Sequence, residues 1–221
     1  MEINKYIDHT LLKPTASKAQ IIELCKEAEL YNFYAVCVNG CYVALAKNQL
    51  KNTAVKVAAV IGFPLGAMTT EAKVYEAKDC VNNGASEIDM VINIGKLIDE
   101  EFDYIENEIK EIKQAIGNKV LKVIFENCYL TAKQIKKACE LSINAGADYV
   151  KTSTGFGSGG ATIEDVKLMK SVVENKAQIK AAGGIRDIPT ALEYIELGVT
   201  RLGTSSGVSF VTKGVSDKNN Y

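Results

Sequence analysis

The sequence predicts a single (β/α)8 barrel, an α/β TIM-barrel fold, and three observations carry that prediction. Short apolar, β-branched runs alternate with amphipathic stretches along the chain. Eight such runs fit within 221 residues, and glycine-rich loops follow the last three of them. The runs are Tyr6–His9, Tyr34–Val38, Val55–Ile61, Glu87–Ile92, Val120–Phe125, Tyr149–Lys151, Gln178–Ala181 and Arg201–Gly203, the first being the least distinct. Several are almost continuously apolar, as strands covered on both faces are.

The intervening helices have recognisable ends. Ser17 and Gln20 have the spacing of a capping box ahead of Ile21, Leu24, Cys25 and Ala28, which share one helical face. Thr131 and Gln134 repeat the device. Gly84 and Gly146 stand where a helix ends in a left-handed residue, each a few residues before a strand. A doubly wound open sheet is the competing architecture, but it carries a glycine fingerprint at its first βα turn, where Gly40 stands alone. The barrel is assigned to residues 1–212 and a polar tail to 213–221.

Composition narrows the function. With 26 basic and 27 acidic residues there is no cationic excess for nucleic acid. No run approaches the ~20 apolar residues of a membrane span, and the opening MEINKYIDHTLLKP has no apolar leader core. The six cysteines form no C-x-x-C pair, and His9 is the only histidine, so no metal ligand set is expected. The cysteines read as reduced thiols of a cytoplasmic protein. His9 reads as structural, and Cys37 as a core thiol beside the alternative of a reactive one. A homodimer or homotetramer is compatible with all of this.

Two lysines break the rule that ammonium groups stay in water. Lys151, in ADYVKTSTGF, and Lys180, in AQIKAAGG, lie in strands that are consecutive along the chain. Neighbouring strands are about 4.8 Å apart. Amines at similar height there repel, so one titrates at lower pH and becomes a nucleophile for carbonyl carbon. The alternative is that both snorkel to solvent. In SEIDMVINIG, Glu87 and Asp89 share one strand face, with Asp89 nearer the C-terminal mouth. Asp89 is a candidate proton shuttle, or a mere counter-ion. Asp8 is expected to hold a lysine or a substrate hydroxyl, and Glu126 to be a charge partner behind the site. Gly155, Gly183, Gly184, Gly203, Ser205 and Ser206 suit a phosphate, with Arg186 as a nearby cation, unless these loops are only tight turns.

The stretches IDHTLLKP, VCVNGCYV, VIGFPLG, EIDMVINIG, LKVIFE, ADYVKTSTGF, KAAGGIRD and RLGTSSG resemble the deoxyribose-phosphate aldolase family along nearly the whole chain. The resemblance implies a cofactor-free (β/α)8 aldolase that reversibly cleaves 2-deoxy-D-ribose 5-phosphate to acetaldehyde and D-glyceraldehyde 3-phosphate. It implies Schiff-base formation at Lys151, proton donation by Lys180 and proton relay through Asp89. It puts phosphate contacts on TSTG, GGIR and GTSSG, and so on Thr154, Gly155, Gly183, Gly184, Ser205 and Ser206. Some members carry a lysine where this chain has Phe156, and some use a terminal tyrosine in proton transfer, which would be Tyr221. Two other readings stay open: a transaldolase or keto-sugar-phosphate aldolase, and a non-catalytic phosphosugar sensor.

Overall fold

The computed structural model describes residues 2–216. Eight parallel strands close into a barrel in chain order. They are β1 (Ile7–Leu11), β2 (Ala35–Asn39), β3 (Lys56–Ile61), β4 (Glu87–Val91), β5 (Val120–Ile124), β6 (Tyr149–Lys151), β7 (Gln178–Ala182) and β8 (Arg201–Thr204). β8 pairs with β1, Asp8 lying opposite Gly203, which completes the ring.

The helices form the outer layer: α1 (Lys18–Leu30), α2 (Val43–Gln49), α3 (Thr70–Asn82), α4 (Ile94–Ile98), α5 (Phe102–Ile116), α6 (Ala132–Asn144), α7 (Ile163–Val173), α8 (Ile188–Glu196) and α9 (Gly207–Ser216). Both expected capping boxes form, at Ser17 with Gln20 and at Thr131 with Gln134. Gly84 and Gly146 adopt φ of 108° and 81°, the left-handed conformation that stops α3 and α6. Strand limits match the sequence expectation to within two residues, and β6 matches it at both ends. The largest difference is at β1, which starts at Ile7 and runs on to Leu11. Its polar Asp8 and Thr10 obscured an alternation that strand pairing supports. α9 runs to Ser216, past the expected start of the tail at 213.

The main apolar core lies between barrel and helices. α5 shows why: Ile105, Ile109, Ile112 and Ile116 are buried on one stripe against the sheet. Glu108 is buried with them and meets buried Lys73 of α3 at 2.7 Å. The lumen is divided instead. Cys37, Ala58 and Val60, with Leu12, give the β2–β3 side an apolar lining. Buried charges fill the remainder.

Candidate active site

Alternation along the strands aims the charged residues inward. Asp8 comes from β1, Glu87 and Asp89 from β4, Lys122 from β5, Lys151 from β6, Lys180 from β7 and Arg201 from β8, and all are at most 3% exposed. Lys151 lies opposite Lys180 in the β6–β7 register, and Asp89 opposite Lys122 in β4–β5. Asp89 is the hub. Its Oδ2 accepts from Lys151 Nζ and Lys180 Nζ, each at 2.8 Å, and its Oδ1 accepts from Lys122 Nζ at 2.8 Å.

The other contacts follow a pattern. Lys180 bonds both Asp89 and Asp8. Lys122 bonds Asp89 and, at 2.5 Å, Glu87. Arg201 bonds Asp8 and, at 2.6 Å, Glu87. Each of these three cations has two close carboxylates, whereas Lys151 has one, shared with two rivals.

Electrostatics follow from that count. Burial pushes the Lys151 amine below its ordinary value, Asp89 opposes the shift, and the Lys180 charge reinforces it. Desolvation, and not the repulsion by Lys180 that strand adjacency predicts, is the larger cause. Burial would also lower Lys180, but Asp8 and Asp89 overcome it and hold that amine above its usual range. Burial would raise the Asp89 carboxyl, but Lys122, Lys151 and Lys180 prevail and keep it well below the usual carboxylate range. Asp8 is lowered against its own burial by Lys180, Arg201 and Lys122.

Above this cluster opens a cavity of about 490 Å³ at the C-terminal ends of the strands. Lys151 lines it, as do Thr154, Gly155, Gly183, Gly184, Arg186, Gly203, Ser205 and Ser206. Asp89, Lys180 and Asp8 do not. They are fully buried below the floor, so Asp8 holds lysine and arginine and does not line the cavity. Gly203 is small for a reason: a Cβ there would lie 3.1 Å from Lys180 Cε and 2.9 Å from Ala182 Cβ. The glycine therefore leaves room for the Lys180 side chain to cross beneath the cavity.

Some expectations change. Glu126 is not a charge partner: among the described residues it forms no ion pair, and it accepts from the Thr154 amide at 3.1 Å and from the Thr154 hydroxyl. It thereby fixes the loop after β6. His9 faces away from the lumen, with Nε2 2.6 Å from Glu27 and its ring against Phe33. Cys37 is buried, and burial pushes its thiol up. Phe156 lines the cavity edge-on to Phe63, with centroids 5.4 Å apart. Tyr221 lies outside the described residues. Sequence reasoning missed Lys122 and Arg201. Lys122 interrupts the apolar run VLKVI, the same signal that singled out Lys180. Arg201 opens its strand and reads as a solvated end.

A buried lysine short of counter-ions, emerging at the mouth of a barrel beside glycine-rich loops, fits the class of barrel enzymes that act on carbonyl compounds through an imine. Comparison with known proteins narrows that class. Residues 3–209 match the model of the DeoC/LacD family aldolases, and the chain belongs to that family. It is 56% identical to a deoxyribose-phosphate aldolase of Finegoldia magna over 211 residues, spanning 96% of this chain and 99% of that one. It is 58% identical to one from Thermococcus kodakarensis, with 98% of each chain covered. The tetrameric deoxyribose phosphate aldolase of Aeropyrum pernix superposes with a TM-score of 0.88 at 30% identity, over 97% of this chain and 91% of that one.

Proposed function

We propose that Lys151 is the residue through which this aldolase forms a Schiff base and reversibly cleaves 2-deoxy-D-ribose 5-phosphate to acetaldehyde and D-glyceraldehyde 3-phosphate. The charge count of the lumen carries the reading. Asp8, Glu87 and Asp89 are three anions facing four cationic side chains, Lys122, Lys151, Lys180 and Arg201. The cluster is neutral when one cation gives up its proton. Lys151 has the fewest carboxylate contacts and is the only one of the four that borders the cavity.

In this reading the phosphate docks on the loops at Thr154, Gly155, Gly183, Gly184, Gly203, Ser205 and Ser206, with Arg186 as a cation. The neutral Lys151 amine attacks C1. Lys180, kept protonated and tied to Lys151 through Asp89, supplies the proton with which the carbinolamine loses water. The protonated imine accepts the electron pair of the C2–C3 bond as the C3 hydroxyl gives its proton to the relay. The enamine is protonated at C2, a step assigned to Tyr221, and water releases acetaldehyde. No metal or cofactor takes part.

The barrel is the catalytic domain in this reading. Six free thiols support a cytoplasmic location, and the tetrameric Aeropyrum relative supports a homo-oligomer. Among the described residues no helix is long and apolar enough to cross a membrane.

The test is a coupled assay for acetaldehyde released from 2-deoxy-D-ribose 5-phosphate, with a donor screen in the reverse direction. Acetaldehyde should serve as enamine donor, and Lys151→Ala should abolish turnover. Preference for a dihydroxyacetone unit would instead favour a transaldolase-type activity, and phosphate binding without turnover a sensor.

A further inference from the structure

We infer that Lys13, on the loop between β1 and α1, is a second phosphate-binding cation, working opposite Arg186. The inference rests on the reading above that an anionic phosphate occupies the mouth of the barrel.

The cavity lining contains three cations, Lys13, Lys151 and Arg186, and no aspartate or glutamate. Lys151 is the nucleophile and is neutral when it reacts. That leaves Lys13 and Arg186 as the fixed positive charges. Among the described residues neither belongs to an ion pair. A phosphate monoester carries nearly two negative charges near neutral pH. One cation would leave that charge half-compensated, and two match it.

Topology brings Lys13 to the correct side. β1 closes the ring against β8, so the loop after β1 is the neighbour of the loop carrying Ser205 and Ser206. Lys13 is exposed at the rim, but its backbone is fixed. The Ala16 amide donates to the Lys13 carbonyl at 3.0 Å, closing a turn with Pro14 at its second position. Asn39 Nδ2 donates to the Leu12 carbonyl at 3.3 Å, and the Tyr42 hydroxyl donates to the Ala16 carbonyl at 2.5 Å. Proline after Lys13 also restricts that residue to extended backbone. A long cationic side chain is thus presented from a braced turn over a cavity without acids.

The test is a calorimetric titration of the wild-type chain, Lys13→Met and Lys13→Arg with inorganic phosphate. It is paired with kcat/KM for 2-deoxy-D-ribose 5-phosphate and for unphosphorylated 2-deoxy-D-ribose. Lys13→Met should weaken phosphate about ten-fold, the scale of one hydrogen bond to a charged group. It should lower kcat/KM by a similar factor on the phosphorylated sugar alone, and Lys13→Arg should restore both. An unchanged phosphate affinity, or an equal loss on both sugars, would overturn the inference. Weakened phosphate binding in a chain that cleaves neither sugar would uphold Lys13 and refute the proposed activity instead.

Discussion

Replacing Lys180 with methionine should push the Lys151 amine back toward the ordinary lysine range, by an amount the geometry sets. Each amine lies 2.8 Å from Asp89 Oδ2, so the two are at most about 5.6 Å apart, and at an effective dielectric of about 20 they repel by about 3 kcal/mol. That corresponds to about two pKa units. Two further effects share this sign. Asp89 loses a competing donor and turns more fully to Lys151, and the lumen, short of one cation, becomes neutral only with Lys151 protonated. The assay is the pH dependence of kcat/KM for cleavage, whose acidic limb reports the free-enzyme nucleophile. Under the proposed role of Lys151 as nucleophile, activity needs its neutral amine and so rises with pH through its pKa. In Lys180→Met that limb should move up by about two pH units. Loss of the Lys180 proton would lower the whole profile without moving the limb. A limb that stays put, or moves to lower pH, would refute the electrostatic argument.

Three further outcomes follow from other parts of the structure. Gly203→Ala should displace Lys180, whose Cε lies 3.1 Å from the added carbon, and lower kcat about a hundred-fold while the fold persists; near-normal turnover with unchanged crystal positions would contradict this. Lys73→Met strands Glu108 in the apolar layer between α3 and α5, and should cost about 3–5 kcal/mol in urea unfolding, much of it recovered in Lys73→Met/Glu108→Leu. If the double variant is no more stable than the single one, the uncompensated-charge explanation fails. Asp8 and Asp89 have folded carboxyl values below their unfolded ones, so their stabilisation is complete above about pH 4 and is lost as pH falls through the folded values. Unfolding midpoints should therefore drop on acidification below about pH 4, and a flat profile there would be inconsistent with the charged cluster.

What the sequence discloses, and what it hides, have physical causes. Helix ends are local, so Ser17, Thr131, Gly84 and Gly146 could be read from a few neighbours, and the structure has them in those roles. Strand period and register order put Lys151 beside Lys180, because both sit within short strands of strong apolar character. The lumen network is long-range: Arg201 reaches Asp8 across 193 positions and Glu87 across 114. No local pattern separates such a residue from a solvated strand end. Glu126 failed as a charge partner for a related reason. Its backbone turns left-handed at φ 58°, which directs the carboxylate to Thr154, and a glutamate gives little local warning of that conformation. Depth was also out of reach, since only the closed barrel separates the cavity floor, where Lys151 emerges, from the layer below that holds Asp8, Asp89 and Lys180.

The most direct measurement is reductive trapping. The chain is incubated with 2-deoxy-D-ribose 5-phosphate and borohydride, digested, and its peptides mapped by mass. The lumen charge count predicts one stable adduct, on the peptide carrying Lys151, formed with undiminished yield in the presence of a chelator. An adduct on Lys180 or Lys122, or none at all under turnover, would contradict the assignment of Lys151 as the neutral amine.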